Sequence, residues 1–209
     1  MNQIFEFFLA PYRTASGLNI LLEILAVVFG IASVWYAKKE SIWVYPTGII
    51  STMIYVYICY QFSLYGDLII NIYYTAMSIF GWYLWTRTIE NHHLEISRST
   101  KKDTLKAVGI FLSTAIFVII VYMYFDRFDR LTDYFDTFTT GVFFAAMWLM
   151  ANKKIEHWAL WILGNLVSVP LYFIKGLGFS GLQFTIFLIL AYQGYIAWRK
   201  NLDSNQQTL

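Results

Sequence analysis

Two tryptophans and an asparagine in the last third of the chain have the spacing and the chemistry of a ligand site. Trp158, Trp161 and Asn165 are three and four residues apart, so a helix through them would carry all three on one face. An aromatic face attracts a cation by about 0.5 to 2 kcal/mol, and an amide can both donate and accept hydrogen bonds. Packing or an interfacial aromatic belt would explain the tryptophans equally well, and spacing alone favours that alternative.

Further polar and aromatic side chains interrupt apolar stretches elsewhere in the sequence. Asn71 and Tyr74 are about one helical turn apart, and Gln183 shares a face with Phe187. In a hydrocarbon environment such a polar group usually lines a cavity or bonds across helices. We expect these four residues either to contribute to the site or to join helices.

Two prolines and a glycine are candidate hinges. Pro170 would free a carbonyl one turn earlier and bend its helix, and Pro46 with Gly48 could do the same near the start of another. Bent helices allow rocking between two states, although any helical bundle tolerates such residues.

Enzymatic and metal chemistry have little support in the sequence. His92, His93 and His157 lie in charged segments where we expect them to be solvated, and Glu23 and Asp136 lie near one end of their apolar runs. We find neither a nucleophile with a base nor a phosphate-binding loop. The sequence therefore predicts no enzyme, no cofactor and no metal.

The composition requires a lipid environment for these residues. Of 209 residues, 58% are hydrophobic and only 13% are charged, whereas about a quarter are charged in an ordinary soluble domain. A net charge of +2 gives no support to nucleic-acid binding, and the single cysteine, Cys59, excludes an intrachain disulfide. We predict an all-α membrane protein with seven transmembrane helices.

The chain reads as one transmembrane domain, residues 1–209. The seven apolar runs are Leu18 to Ala37, Ile42 to Tyr60, Leu68 to Trp85, Leu105 to Phe125, Phe135 to Ala151, Trp158 to Ile174 and Leu182 to Trp198. They divide into a three-helix half (18–85), a linker helix (105–125) and a second three-helix half (135–198).

The distribution of lysine and arginine predicts the orientation. Eleven of these residues fall in one set of loops and four in the other, which places the first set in the cytoplasm and the N-terminus outside.

A weak internal repeat suggests that the halves are related. Gly81 with Trp85 ends the third span, and Gly194 with Trp198 ends the seventh in the same way. The starts of the second and sixth spans can also be matched, through Trp43 with Trp161 and Gly48 with Gly164. Because the fourth span intervenes, both halves would run in the same direction and enclose a pathway between them.

The stretch IWVYPTGIISTMIYVYICYQFSLYGDLIINIYYTAMSIFGWYLW and the later KKIEHWALWILGNLVSVPLYFIKGL, with its W-x-x-W-x-x-x-N pattern, resemble the PnuC family of nicotinamide riboside transporters. The resemblance extends from about Leu21 to Lys200. It implies a 3+1+3 helix plan similar to that of SWEET proteins, facilitated diffusion of a vitamin, assembly as a homo-oligomer, often a trimer, and trapping of the product by a cytoplasmic kinase. It also makes Trp161 and Asn165 stronger candidates for the site than spacing does, and Trp158 less so.

We therefore expect an inner-membrane uniporter that imports nicotinamide riboside by alternating access. Thiamine, another flat cationic vitamin, is the alternative within the resemblance. A receptor or assembly subunit that binds without transporting is the alternative from another class.

Overall fold

A computed structural model describes residues 16–62, 65–89, 92–124 and 130–207, and these are almost entirely helical. Seven helices lie within these ranges: α1 Gly17–Lys38, α2 Val44–Gln61, α3 Tyr65–Thr86, α4 Lys101–Tyr124, α5 Leu131–Ala151, α6 His157–Ile174 and α7 Gly178–Gln207. Each of the seven apolar runs overlaps one helix, so the predicted number of helices is confirmed. Phe125, the last residue of the fourth run, lies outside the described ranges.

The last helix is longer than its apolar run. It continues nine residues past Trp198, because Leu202 is buried in the core and Arg199 faces Asp203 one turn further on. Hydropathy cannot detect this extension, since most of its residues are polar.

A short ordered segment joins α3 to α4. Strand β1, Thr88–Ile89, pairs antiparallel with β2, His92–His93. Beyond it, Ser97 bonds the turn between α5 and α6, and both the amide and the hydroxyl of Ser99 donate to Glu156, at 2.8 and 2.7 Å. The charged loops on this side of the bundle are thus held together by hydrogen bonds.

The outer surface of the bundle is apolar. Leucine, isoleucine and valine side chains of α1 and α4 are exposed along the length of both helices: Leu18, Leu21, Ile24, Val28, Leu105, Val108, Leu112, Ile116 and Ile120. Such a surface is costly in water and suits lipid. Among the described residues, four helices are long and apolar enough to cross a membrane by themselves: α1, α4, α6 and most of α7. The chain is a multi-pass membrane protein.

Six helices form a closed ring. Neighbours along the chain pack together within α1–α3, the first trio, and within α5–α7, the second trio. The ring closes where α3 packs on α5 and α7 packs on α1, whereas α4 packs on α5. The seams between the trios therefore lie at α3–α5 and at α1–α7.

The turns that follow α1 and α5 have the same backbone geometry. Glu40 and Lys153 each adopt a left-handed φ, of 55° and 48°. In both turns the amide of the residue just before, Lys39 or Asn152, donates to the carbonyl four residues earlier, at 3.3 Å. The amides of the next two residues in each turn then donate to carbonyls at matching positions near the end of the preceding helix. Corresponding residues differ by 113 in number, as Glu40 and Lys153 do.

The same offset relates the ring packing in both trios. Tyr45 of α2 lies over Gly81 of α3, and a Cβ built on that glycine would be 2.5 Å from the tyrosine hydroxyl. Trp158 lies in the same way over Gly194, with a corresponding approach of 2.5 Å. Each ring also meets the next tryptophan edge-on, at 5.1 Å for Tyr45 with Trp85 and 5.8 Å for Trp158 with Trp198.

The expected alignment between the start of α2 and the start of α6 is therefore wrong. The match of Trp43 with Trp161 came from residue identity, but the geometry places Tyr45, not Trp43, in correspondence with Trp158. Ring shape and the facing glycine determine this correspondence, and an indole in one trio replaces a phenol in the other.

A core at this end of the bundle joins the trios. The Trp85 indole donates to the Ala151 carbonyl at the end of α5, and the Trp198 indole donates to the Ala37 carbonyl near the end of α1, at 3.2 and 2.9 Å. His157 lies in this core and is fully buried, against the expectation that it is solvated. Its ring packs on Trp158 and Trp198, because α6 begins at His157 and directs it inward.

Candidate functional site

One face of α6 carries a continuous stripe of aromatic and polar side chains. At about 100° per residue, Trp158, Trp161, Asn165, Ser168 and Tyr172 fall within an arc of roughly 80°. The helix runs unbroken from His157 to Ile174, so the face predicted from spacing exists. Asn165 is near the middle of this helix, about 12 Å along the axis from either end.

Trp161 belongs to a cluster of rings from three helices. Its ring stacks on Phe143 of α5 at 5.1 Å, and Phe143 stacks on Phe184 of α7 at 6.1 Å. Phe184 also stacks on Tyr172 at 4.6 Å and meets Phe187 edge-on at 6.1 Å. These five residues, the aromatic cluster, bring the predicted site residues Trp161 and Phe187 into one assembly.

A glycine on α6 gives the cluster its shape. A Cβ built on Gly164 would lie 2.2 Å from Cε1 of Phe143, so this ring rests directly on the α6 backbone. Any larger residue would displace Phe143 and with it the stack on Trp161. Small residues allow this kind of close approach inside membrane bundles.

Near the middle of α6, two buried polar atoms of this face have no hydrogen-bond partner among the described residues. Asn165 is 2% exposed and Ser168 is 1% exposed, and the unpaired atoms are Asn165 Oδ1 and Ser168 Oγ. A buried polar atom without a partner costs on the order of 1 to 3 kcal/mol. The arrangement suits a bound molecule that supplies hydrogen-bonding groups at mid-helix.

The cluster reaches the first trio at Gly30 of α1. A Cβ there would lie 3.1 Å from Ser51 Oγ, 3.7 Å from Gln183 Nε2 and 3.7 Å from Cζ of Phe187. The two α7 candidates, Gln183 and Phe187, therefore stand together at the α1–α7 seam.

Asn71 and Tyr74 lie on α3, and Tyr74 contacts α5. The Asn71 amide donates to the Asp67 carbonyl of its own helix at 2.9 Å, and the Tyr74 ring meets Phe144 at 5.8 Å. Phe144 is also stacked on Tyr73, at 3.7 Å. Adjacent phenylalanines of α5 thus pack against different neighbours: Phe143 lies in the aromatic cluster, and Phe144 lies at the α3–α5 seam.

Trp158 differs from the rest of the stripe in its surroundings. It is 1% exposed, packs over Gly194 and against Trp198, and belongs to the core that joins the trios. Its indole N–H has no partner among the described residues. The structure therefore places Trp158 in packing at the helix end, one turn from Trp161.

The hinge candidates occupy different positions. Pro170 lies inside α6, where it removes an amide donor, whereas Pro46 lies in the first turn of α2, where no helical bond is lost. Gly48 lies where α1, α2 and α3 meet, since a Cβ there would be 3.0 Å from Ser33 Oγ and 3.5 Å from Ser78 Oγ.

Four members of the candidate site escaped the sequence analysis: Phe143, Phe184, Ser168 and Tyr172. Phe143 and Phe184 gave no signal, because the chain has 18 phenylalanines and their contact depends on how α5 and α7 pack. Ser168 could have been found by following the stripe one turn beyond Asn165. The acid Asp136 pairs with Lys175 between α5 and the end of α6, which gives it a structural role.

Comparison with known proteins identifies relatives of this chain. The family model described as nicotinamide mononucleotide transporter matches residues 20–200. The nicotinamide riboside transporter PnuC of Escherichia coli (strain K12) is 23% identical over 85% of this chain and 84% of its own. The riboflavin/roseoflavin transporter RibM of Streptomyces davaonensis is 24% identical over 87% of each.

A solved structure has the same fold. The crystal structure of the vitamin B3 transporter PnuC superposes with a TM-score of 0.66, at 24% identity, and the match covers 96% of this chain and 92% of that one. These relatives are transporters, not enzymes. With a family match over most of its length, the chain belongs to the nicotinamide mononucleotide transporter family, which includes the PnuC proteins it resembles.

Proposed function

We propose that this protein imports nicotinamide riboside by facilitated diffusion, with the two trios rocking around a site built on α6. The observation that carries the proposal is the pair of buried, unpartnered polar atoms on Asn165 and Ser168, next to stacked rings in the middle of a membrane helix. The pyridinium ring of nicotinamide riboside is a flat cation, which rings attract without a buried carboxylate. Its carboxamide and sugar hydroxyls can pair with the amide and the hydroxyl.

The other predicted residues have roles in this proposal. Gln183 and Phe187 extend the site to the α1–α7 seam, and Asn71 and Tyr74 contribute at the α3–α5 seam. Trp158 holds the first turn of α6 in place below Trp161.

The helix arrangement is part of the proposal. We infer a 3+1+3 plan of the SWEET type, with all seven helices spanning the membrane, two parallel repeats and α4 as the linker. The 113-residue offset between the turns at Glu40 and Lys153 supports it. A pathway between such repeats holds its ligand near the midplane, which is the depth of Asn165. Pro170 and Pro46 with Gly48 serve as hinges when the trios rock.

The orientation in the membrane is inferred from the charge distribution, and the oligomeric state and the partner kinase from the family. The basic turns at Lys38 and Lys153 face the cytoplasm, the N-terminus lies outside, and the protein resides in the inner membrane. Assembly as a homotrimer and trapping of imported vitamin by a cytoplasmic kinase complete the proposal, and both are supported by the family resemblance alone.

Uptake into proteoliposomes tests the central claim. Labelled nicotinamide riboside should enter down its gradient without an ion gradient, and Trp161→Ala or Asn165→Ala should reduce the initial rate at least tenfold while expression stays normal. Trp43→Ala is the matched control, because Trp43 is an exposed tryptophan at the start of α2. Saturable binding without accumulation would instead identify a receptor.

Two other vitamins are alternative candidates for the substrate. Thiamine shares the flat cationic ring, and riboflavin is suggested by the similarity to RibM. Thermal stabilisation of the purified protein by each of the three vitamins, at equal concentrations, ranks them. Stabilisation by thiamine or riboflavin alone would reject nicotinamide riboside as the substrate.

A further inference from the structure

Among the serine and threonine side chains of the described helices, Ser168 is the one with a buried hydroxyl that has no hydrogen-bond partner. Ten serine and threonine side chains donate to a carbonyl three or four residues earlier in the chain: Thr47, Thr52, Thr75, Thr86, Thr104, Ser113, Thr137, Thr139, Thr140 and Thr185. This is the usual way to satisfy a hydroxyl inside a helix. Ser168 is 1% exposed, and its Oγ has no partner among the described residues.

The neighbouring amide defines what this hydroxyl can share. Asn165 Oδ1, one turn earlier on the same face, is also buried and unpartnered, and it can only accept hydrogen bonds. The two residues are about 4.5 Å apart along the helix axis. Trp161 precedes them and Tyr172 follows them on the stripe, so both polar groups are flanked by rings of the aromatic cluster.

We propose that Ser168, together with Asn165, binds the vicinal diol of a ribosyl group and so selects ribosylated substrates. Each sugar hydroxyl can donate to Asn165 Oδ1 and can also exchange a hydrogen bond with Ser168 Oγ, so two adjacent hydroxyls satisfy both atoms at once. The flat ring of the same molecule lies against the aromatic cluster. This inference rests on the proposed function, and it makes Ser168 a residue that determines specificity.

A site of this kind should strongly prefer substrates that carry the vicinal diol over analogues that lack it. A site whose buried polar groups expect a hydroxyl rejects an analogue that lacks it, because those groups are then left unpaired. Thiamine has no vicinal diol, whereas nicotinamide riboside and riboflavin both have one. Ser168 therefore discriminates against thiamine more than the aromatic cluster does.

Binding measurements on the purified protein test this assignment. The probes are nicotinamide riboside and its 2′,3′-dideoxy analogue, titrated calorimetrically into the unmodified protein, Ser168→Ala and Ser113→Ala. The unmodified protein and Ser113→Ala should bind the dideoxy analogue about tenfold more weakly than the riboside. Ser168→Ala should bind the two within about twofold of each other. A tenfold preference that persists in Ser168→Ala overturns the assignment.

A stability measurement distinguishes a ligand contact from a structural role. Removing an unpaired buried hydroxyl should leave the melting temperature of the ligand-free protein unchanged or raise it slightly. A drop of more than about 5 °C in Ser168→Ala, relative to Ser113→Ala, would mean that the hydroxyl stabilises the fold and would overturn the assignment. Ser113 is a suitable control because its hydroxyl bonds Ile110 of its own helix.

The inference can be tested even if nicotinamide riboside is not the substrate. Should the unmodified protein bind no nicotinamide riboside, the proposed function fails, and riboflavin with lumiflavin, its analogue without the ribityl hydroxyls, replaces the probe pair. A preference for riboflavin that Ser168→Ala abolishes would support diol recognition. The same preference in both proteins would overturn it.

Discussion

The ion pair between Glu40 and Lys153 should stabilise the junction of the two trios, and a double-mutant cycle can measure by how much. Lys153 Nζ lies 2.7 Å from Glu40 Oε1, with side-chain exposures of 9% and 29%. The ammonium is also 4.5 Å from the centre of the Trp85 ring. Glu40 follows α1 and Lys153 follows α5, so this contact links one trio to the other.

The loss of stability on removing one partner depends on how deeply the pair is buried, rather than on the distance between the two groups. Removing one partner of a buried pair costs about 3 to 5 kcal/mol, because an uncompensated charge is left behind, whereas replacing both partners is often nearly neutral. Glu40 keeps some access to water, so we expect Glu40→Gln to cost about 3 kcal/mol, near the lower limit. Lys153→Met should cost less, since the remaining carboxylate can hydrate. The double variant should be more stable than Glu40→Gln.

Unfolding in detergent, followed by tryptophan fluorescence, provides the assay. At about 2 to 4 °C per kcal/mol for a chain of this size, Glu40→Gln should lower the melting temperature by roughly 6 to 12 °C. Asp203→Asn is the control, because its partner Arg199 is 4.0 Å away and both side chains are more than half exposed. If Glu40→Gln and Asp203→Asn differed by less than about 0.5 kcal/mol, or if the cycle gave no coupling, the pair would not join the trios.

Three further substitutions test the packing. Gly164→Ala should move Phe143 off Trp161 and weaken vitamin binding at least tenfold in titration calorimetry, and unchanged affinity would exclude this stack from the site. Gly194→Ala should lower the melting temperature by about 2 to 12 °C, since its methyl would overlap the Trp158 indole and overpacking costs about 1 to 3 kcal/mol. Tyr45→Phe should leave the melting temperature unchanged or slightly higher, because the buried phenol hydroxyl has no partner among the described residues, and a clear loss of stability would show that this hydroxyl stabilises the fold.

The helices could be predicted because lipid imposes one rule on every span. Hydropathy located all seven helices, and the spacing of Trp158, Trp161 and Asn165 identified a shared face of α6, on which we propose the site. What hydropathy could not supply was the identity of the ring that each face meets. Phe143 and Phe184 are distant in sequence, and only the packing of α5 and α7 brings them together.

Residues of similar type turned out to differ because of their neighbours. Trp158 and Trp161 are one turn apart, yet the first packs over Gly194 and the second stacks on Phe143. His157 appeared to lie in a charged loop, but the turn before α6 directs it into the core. Sequence spacing gives the direction of a side chain on its helix, and the partner across the gap decides its role.

The 113-residue offset also pairs positions of opposite size in the two trios. It sets Gly30 against Phe143 and Gly48 against Trp161, so the first trio carries bare backbone where the second carries large rings. Under the proposed function, substitutions in the ring-bearing second trio alone should change which vitamin is accepted. The glycines of the first trio would then preserve the packing around the site.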